Sequence, residues 1–265
     1  MVHLMQGDCS EKLRELRDET IDLTITSPPY DKMRKYKGND IEWGEQTWKK
    51  VAKQLYRITK RGGVVVWVVG DQTIKGNETG TSFYQALWFK HIGFNLHDTM
   101  IYSKGGQGAC GSNLCYLQDF EYMFIFGKGR PKSIHLIEDR VNKVKPRTAV
   151  ESQGHRHQTG EKKGTRKIER KRLGRRTNIW QYHESGTRVP HPAVFPMPLA
   201  TSHLLSWSNP QDIVLDPFMG SGTVGVACLL HNRSFVGIEA SKKFYDMAKK
   251  RIDKVADGNG DPYQA

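Results

Sequence analysis

Apolar residues in this chain gather into short runs bounded by turn formers, at 2–5, 21–25, 64–69, 97–102, 122–126, 213–215 and 234–238. Their Val, Ile and aromatic content reads as β-strands, and the lack of polar alternation in several implies burial on both faces. Between them lie helical candidates at 9–17, 45–59, 82–91, 198–207, 222–230 and 242–255. In the last of these, Phe244, Ala248, Ile252 and Val255 share one face behind Ser241, a suitable N-cap. Strands alternating with helices predict an α/β fold, a doubly wound and mostly parallel sheet with helices on both sides. One stretch, 128–177, breaks the rhythm. It is polar, basic and rich in Gly, Pro, Gln and His, which marks an inserted recognition region.

The 265 residues accommodate one sizeable α/β domain with an insertion, or two small domains. No apolar run reaches the roughly 18 residues that a membrane span needs. The N-terminal residues lack the basic and apolar segments of a signal peptide. Four cysteines are too few for a disulfide framework at this size, so an intracellular chain with reduced thiols is expected. Cys110 and Cys115, near His135, lack zinc-ribbon spacing, and no metal site is predicted. Charge changes the picture more. Of the net +13, the segment 140–176 holds +11, from fourteen Lys/Arg against three Glu. Clustered Lys and Arg grip phosphates efficiently because binding releases counterions, so a polyanion partner is expected.

Two short motifs carry the chemistry. Thr26-Ser27-Pro28-Pro29-Tyr30 follows the run at 21–25, and Asp216-Pro217-Phe218-Met219-Gly220-Ser221-Gly222-Thr223 follows that at 213–215. In open α/β sheets, ligands bind at the loops beyond the strands' carboxyl ends. The first loop offers a hydroxyl, a carbonyl outside any regular ladder and an aromatic ring, which suits a flat polar base. The second offers glycines before a helix start, whose free N–H groups favour an anion.

Both motifs, Ser-Pro-Pro-Tyr and Phe-x-Gly-x-Gly, resemble those of the amino-methyltransferases of DNA. Their order here, with the catalytic loop first, the basic insertion next and the cofactor loop last, is that of the family's beta class. The resemblance spans 1–127 and 178–256 and implies a circularly permuted, seven-stranded methyltransferase sheet. It also implies S-adenosyl-L-methionine as cofactor, double-stranded DNA as partner, and methyl transfer to the exocyclic amine of a flipped base. The expected division is 1–127 as the catalytic half, 128–177 as the target-recognition region and 178–265 as the cofactor half. A bacterial or phage-encoded cytoplasmic protein is implied, with a homodimer and a companion restriction nuclease left open as further partners.

On this resemblance, Ser27 Oγ and the Pro28 carbonyl accept the two amino hydrogens and localise the nitrogen lone pair toward the methyl donor. Pro28 and Pro29 stiffen the turn, and Tyr30 stacks on the base. Asp216 meets the cofactor's amino group, while Glu239, ending the next strand, meets the ribose hydroxyls. Phe218 and Ile238 flank the adenine, and Thr26, Pro217, Gly220, Gly222 and Thr223 complete the pocket. Asp8 reads both as a contact to the adenine edge and as a helix N-cap. His191, Pro192 and Phe195 resemble the segment that closes on the methionine portion. For DNA, Lys32, Arg34, Lys35 and Lys37 follow the catalytic loop and suit the phosphates flanking the flipped nucleotide. Arg156, Arg166, Arg170, Arg175 and Arg176 are the insertion's candidates, with Gln158 and Asn178 as further readers of base edges.

Ser in the first motif position is commoner among cytosine-N4 enzymes, and Asp or Asn among adenine-N6 enzymes. Cytosine-N4 transfer is therefore favoured, with adenine-N6 transfer as the alternative. Methylation of cytosine carbon 5 needs a Pro-Cys pair, and no cysteine here follows a proline. A catalytically silent DNA-binding regulator is the remaining reading, and the intact motifs speak against it.

Overall fold

The computed structural model describes residues 1–29, 43–106, 110–112, 115–143, 147–152, 165–182 and 195–258. It divides into two compact units, residues 1–135 with 178–265, and residues 136–177.

Among the described residues the central sheet of the larger unit has eight strands: β1 (Val2–Gln6), β2 (Ile21–Thr26), β3 (Thr59–Val69), β4 (Asn95–Ser103), β5 (Phe120–Gly127), β6 (Ile179–Gln181), β7 (Ile213–Asp216) and β8 (Ser234–Glu239). Their order across the sheet is β1-β8-β7-β2-β3-β5-β4-β6. All neighbours pair in parallel except β5, which runs against both β3 and β4. Among the described residues six helices flank it: α1 (Cys9–Glu15), α2 (Glu45–Ile58), α3 (Thr81–His91), α4 (Met197–Trp207), α5 (Thr223–Leu230) and α6 (Lys242–Ala256). Helices α1, α2 and α3 pack in succession over one face, and α4, α5 and α6 over the other. The doubly wound fold is thus present, and to the seven expected strands it adds β6 at the edge. That strand has three residues, of which only Trp180 is buried, its ring tilted against the His203 ring of α4 at 4.6 Å.

Burial follows the two periodicities that the sequence carries. Trp48, Val51, Ala52, Leu55 and Ile58 form the inner stripe of α2. On β3, Val65, Trp67 and Val69 join the core under α2 and α3, while Val64, Val66 and Val68 are buried on the opposite face. This double burial is why the run shows no polar alternation. The strand read at 64–69 begins earlier, at Thr59, which the sequence assigns to the end of the preceding helix. Gly62 takes a left-handed φ of +77° there, and a register irregularity lies opposite Ile21 to Leu23.

One acid lies deep at the amino end of the sheet. Asp22 accepts from Lys60 Nζ (2.7 Å), Lys132 Nζ (2.6 Å) and the Ile213 amide (3.0 Å). Burial by itself would raise its pKa, but these three donors together hold it below the ordinary carboxylate value. The contact to Lys132 also ties 128–135 to the larger unit, as do Gly62 N–H to Lys128 O (2.8 Å) and His135 N–H to Ser206 O (2.8 Å).

Among the described residues of the smaller unit two antiparallel ladders form, Arg140–Val141 with Leu173–Gly174 and Arg147–Ser152 with Thr165–Arg170. Its register sets Glu151 opposite Arg166 and Thr148 opposite Glu169. The Arg176 guanidinium pairs with Asp139, with Nε at 3.0 Å from Oδ2, and the Arg140 Nε donates to the Arg175 carbonyl (2.9 Å).

Candidate active site

Strand β7 leads through α5 to β8 on one side, and β2 leads through α2 to β3 on the other. Because β7 and β2 are adjacent, the topological switch point lies between them, and the strands' carboxyl ends at such a point are where open α/β sheets bind ligands. Both sequence motifs begin there. A buried hydrogen bond closes the seam: Thr26 Oγ1 donates to Asp216 Oδ1 at 2.7 Å, across 190 residues of sequence. Thr26 is thereby a partner of the acid, with its hydroxyl committed to it. Ser27 and Pro29, just beyond, are half-buried, and Pro28 is buried.

The glycine turn is shaped by its neighbours. Gly222, the N-cap of α5, has φ +80°, and a Cβ there would come within 3.1 Å of Ala248 Cβ and 3.2 Å of Ile252 Cδ1 on α6. Its bareness thus serves a left-handed cap and close helix packing. Gly220, also left-handed at φ +52°, donates its N–H to Glu239 Oε2 (2.9 Å), while Ser241 N–H meets Oε1 (2.8 Å). The Ala240 amide also acts on this carboxylate, which leaves part of its roughly four lone-pair positions for ligand hydroxyls. The Asp216 Oδ1 also accepts the Phe218 amide (3.1 Å), so one carboxylate steadies each side of the turn. Thr223 is buried and accepts from Arg251 Nη1 (3.0 Å), which also reaches the Ser221 carbonyl (3.2 Å).

Phe218 is half-buried, edge-on to Trp43 (5.1 Å) and Trp67 (6.4 Å), whereas Ile238 is fully buried in the core. Asp8 caps α1, accepting from Ser10 N–H at 2.7 Å. Its strand pairs with β8 so that Gln6 lies opposite Glu239, and Gly7 N–H donates to the Glu239 carbonyl (3.0 Å). Asp8, Glu239, Gly220, Asp216, Thr26 and Ser27 therefore share one rim of the sheet. Phe195 is half-buried just before α4, and Pro217 is buried. Tyr30, Lys32, Arg34, Lys35, Lys37, Arg156, Gln158, His191 and Pro192 lie outside the described residues. For Arg166 and Arg170 only the strand position is described; Arg175 and Arg176 sit in the smaller unit, the latter engaged with Asp139. Asn178 donates from its side chain to the Thr99 carbonyl (2.9 Å). Two residues escaped the sequence reading. Arg251 falls on the apolar stripe of α6, a signal in itself, and Trp43 is a lone aromatic ahead of the α2 cap.

The electrostatics ask for a cation. Burial, with the charge of Glu239 adding, pushes Asp216 up to about 7, although the Thr26 hydroxyl and Phe218 amide pull it down. Burial also raises Glu239. An amino group beside Asp216 restores the charge that burial penalises, and ribose hydroxyls fit the free positions on Glu239. The residues present therefore fit S-adenosylmethionine, whose ammonium and sulfonium are both positive. Since the proton must leave Asp216 before it pairs with a cation, affinity is expected to fall below pH 7. The loss should reach up to about tenfold per pH unit, with a plateau above neutrality. Calorimetry across that range checks this; Asp216→Asn, which keeps the Oδ1 acceptor, should flatten the profile.

Comparison with known proteins agrees with this geometry. The profile of the N6/N4 methyltransferase family, described as DNA methylase, matches residues 21–250. The chain belongs to this DNA amino-methyltransferase family. It is 51% identical over 243 residues to the orphan methyltransferase M.BamHII of Bacillus amyloliquefaciens, covering 89% of each protein. It is 27% identical to the type II methyltransferase M.HpaI of Haemophilus parainfluenzae, covering 96% of this chain and 75% of that one. Among solved structures, the cytosine-N4-specific PvuII DNA methyltransferase superposes with a TM-score of 0.68 at 20% identity, covering 99% of this chain and 91% of that one. The M1.HpyAVI–SAM complex gives 0.61 at 22% identity, covering 95% and 100%. As a family member the chain is an S-adenosylmethionine-dependent DNA methyltransferase. No helix among the described residues is long and apolar enough to cross a membrane.

Proposed function

We propose that the chain methylates the exocyclic N4 of cytosine in double-stranded DNA, at a base turned out of the helix into the crevice between β7 and β2. The observation that carries this reading is Ser27 as the first residue of the Pro-Pro loop, at the end of a β2 held to β7 by Thr26 and Asp216. An exocyclic amine is a weak nucleophile because its lone pair is shared with the ring. Ser27 Oγ and the Pro28 carbonyl accept hydrogen bonds from its two N–H groups, so the nitrogen gains tetrahedral character and its lone pair turns outward; after transfer the methylated nitrogen releases one proton to solvent. S-adenosylmethionine supplies the electrophilic methyl group, held through Asp216 at its amino group and Glu239 at its ribose. The loop's two prolines fix the acceptors before the base arrives, so little reorganisation is left for the transition state.

Tyr30 stacks on the extruded base. Lys32, Arg34, Lys35 and Lys37 hold the flanking phosphates, and the basic segment 140–176 reads the sequence, Arg pairing with guanine and Asn or Gln with adenine. The experiment is tritium transfer from labelled S-adenosylmethionine to genomic DNA, followed by separation of the bases. Label in the cytosine fraction supports the proposal. Label in adenine assigns the N6 reaction instead, and none at all returns the chain to the silent-regulator reading.

A further inference from the structure

Strand β3 leaves the sheet on the rim that carries the Pro-Pro loop. Thr26 pairs with Trp67, so the end of β3 lies one strand spacing, about 4.8 Å, from the end of β2 that Ser27 follows. Before α3 begins, the chain builds a two-stranded hairpin, Thr73–Ile74 against Asn77–Glu78. It starts four residues past Val69, a reach of at most about 14 Å. A duplex that hands a base to Ser27 spans a comparable length of the rim, since its major groove alone is about 12 Å wide.

The hairpin is braced at its foot and strained at its tip. Thr79 N–H donates to the Gln72 carbonyl (2.9 Å), and Asp71 Oδ1 accepts the Ser82 amide (2.8 Å). Gln118 Nε2 donates to Glu78 Oε1 (3.1 Å) and Thr73 Oγ1 (3.3 Å). Both nearby acids, Asp71 and Glu78, are thus engaged. At the tip, Lys75 and Gly76 take left-handed φ values of +50° and +78°, as in a two-residue hairpin turn, where Asn-Gly is the favoured pair. A lysine has no side-chain means of easing that conformation, and its Cβ is crowded there. Strain kept at an exposed tip points to a use for the side chain. Lys75 is exposed and enters no ion pair among the described residues, and Ile74 beside it is 52% exposed.

We propose that the tip of this hairpin docks on DNA beside the extruded nucleotide, with Lys75 on a backbone phosphate and Ile74 against the adjoining sugar. A cation next to an apolar side chain matches the alternation of phosphate and sugar along a strand. Such a contact sets where the duplex sits without reading its sequence, so it complements a separate segment that reads bases. The braces at Gln72, Asp71 and Gln118 hold the tip in place before DNA arrives, which lowers the ordering cost of the contact.

The inference rests on a base being received beside Ser27, whichever base that is. Binding is measured without methyl transfer, so the hairpin is tested separately from the choice of base. The probe is a labelled random-sequence duplex, titrated with the full chain and S-adenosylhomocysteine between about 50 and 200 mM salt, since phosphates are gripped irrespective of sequence. Lys75→Asn removes the charge and suits the left-handed turn better. It should weaken DNA binding by about 5- to 10-fold at 0.1 M salt and shallow the salt slope by about one. The same variant should raise Tm by about 1–3 °C and leave affinity for S-adenosylmethionine unchanged, which a merely damaged fold would not do. Lys75→Arg should keep the parent slope. Ile74→Ser should weaken DNA by about threefold or more with the slope intact, as loss of an apolar contact does. Identical slopes for Lys75→Asn and the parent would overturn the proposal. So would an Arg variant that loses as much as the Asn variant.

Discussion

Ser27→Ala should cut methyl transfer by about 100- to 1000-fold while leaving the affinity for S-adenosylmethionine within about twofold. That is the scale of removing one preorganised hydrogen-bonding group from a transition state. The split follows from the position of Ser27. It follows the end of β2, beside the Thr26–Asp216 seam, whereas the carboxylates proposed to hold the cofactor, Asp216 and Glu239, belong to β7 and β8. Single-turnover transfer and calorimetry on the same preparation check both halves. Unaltered turnover would remove Ser27 from the reaction, and an equal loss of cofactor affinity would place it in the wrong pocket.

Glu239→Ala should do the reverse, weakening the cofactor by about 100-fold or more before any effect on chemistry. A hydrogen bond to a charged group contributes about 1.5–3 kcal/mol, and two ribose hydroxyls are at stake. The substitution also frees the Gly220 and Ser241 amides that Glu239 now holds, so the turn loses its brace as well. Glu239→Gln separates the two effects, since it fills the same space without the charge. Gly222→Val is the less informative probe of the same pocket. Its side chain would meet Ala248 and Ile252 in a left-handed backbone, so folding would fail together with binding. Unchanged affinity in both Glu239 variants, measured by calorimetry, would move the ribose elsewhere.

Much of this architecture was legible because burial leaves periodic marks. The inner stripe of α6 and the unbroken apolar run of β3 each announce their element and its depth. What was hidden depends on partners distant in sequence. β6 is three residues long and exists because Ile101 N–H reaches the Asn178 carbonyl at 2.8 Å. The ladder of Arg147–Ser152 with Thr165–Arg170 carries charge where an amphipathic strand would carry apolar residues, so composition reads it as loop. In the site, the two loops were visible as motifs. Their joining through Thr26 and Asp216, and the hold of Glu239 on Gly220, follow from sheet order, which no local pattern encodes. The same applies to Gly222, whose close approach to Ala248 and Ile252 of α6 no local pattern announces.

Cofactor and flipped cytosine are expected to meet at the switch point between β7 and β2. A crystal structure of the chain with S-adenosylhomocysteine and its DNA would test it most directly. The account predicts the amino group at Asp216, the ribose on Glu239 and an extruded cytosine with its N4 against Ser27 Oγ and the Pro28 carbonyl. A cofactor seated away from Asp216 and Glu239, or a base held far from Ser27, would contradict it.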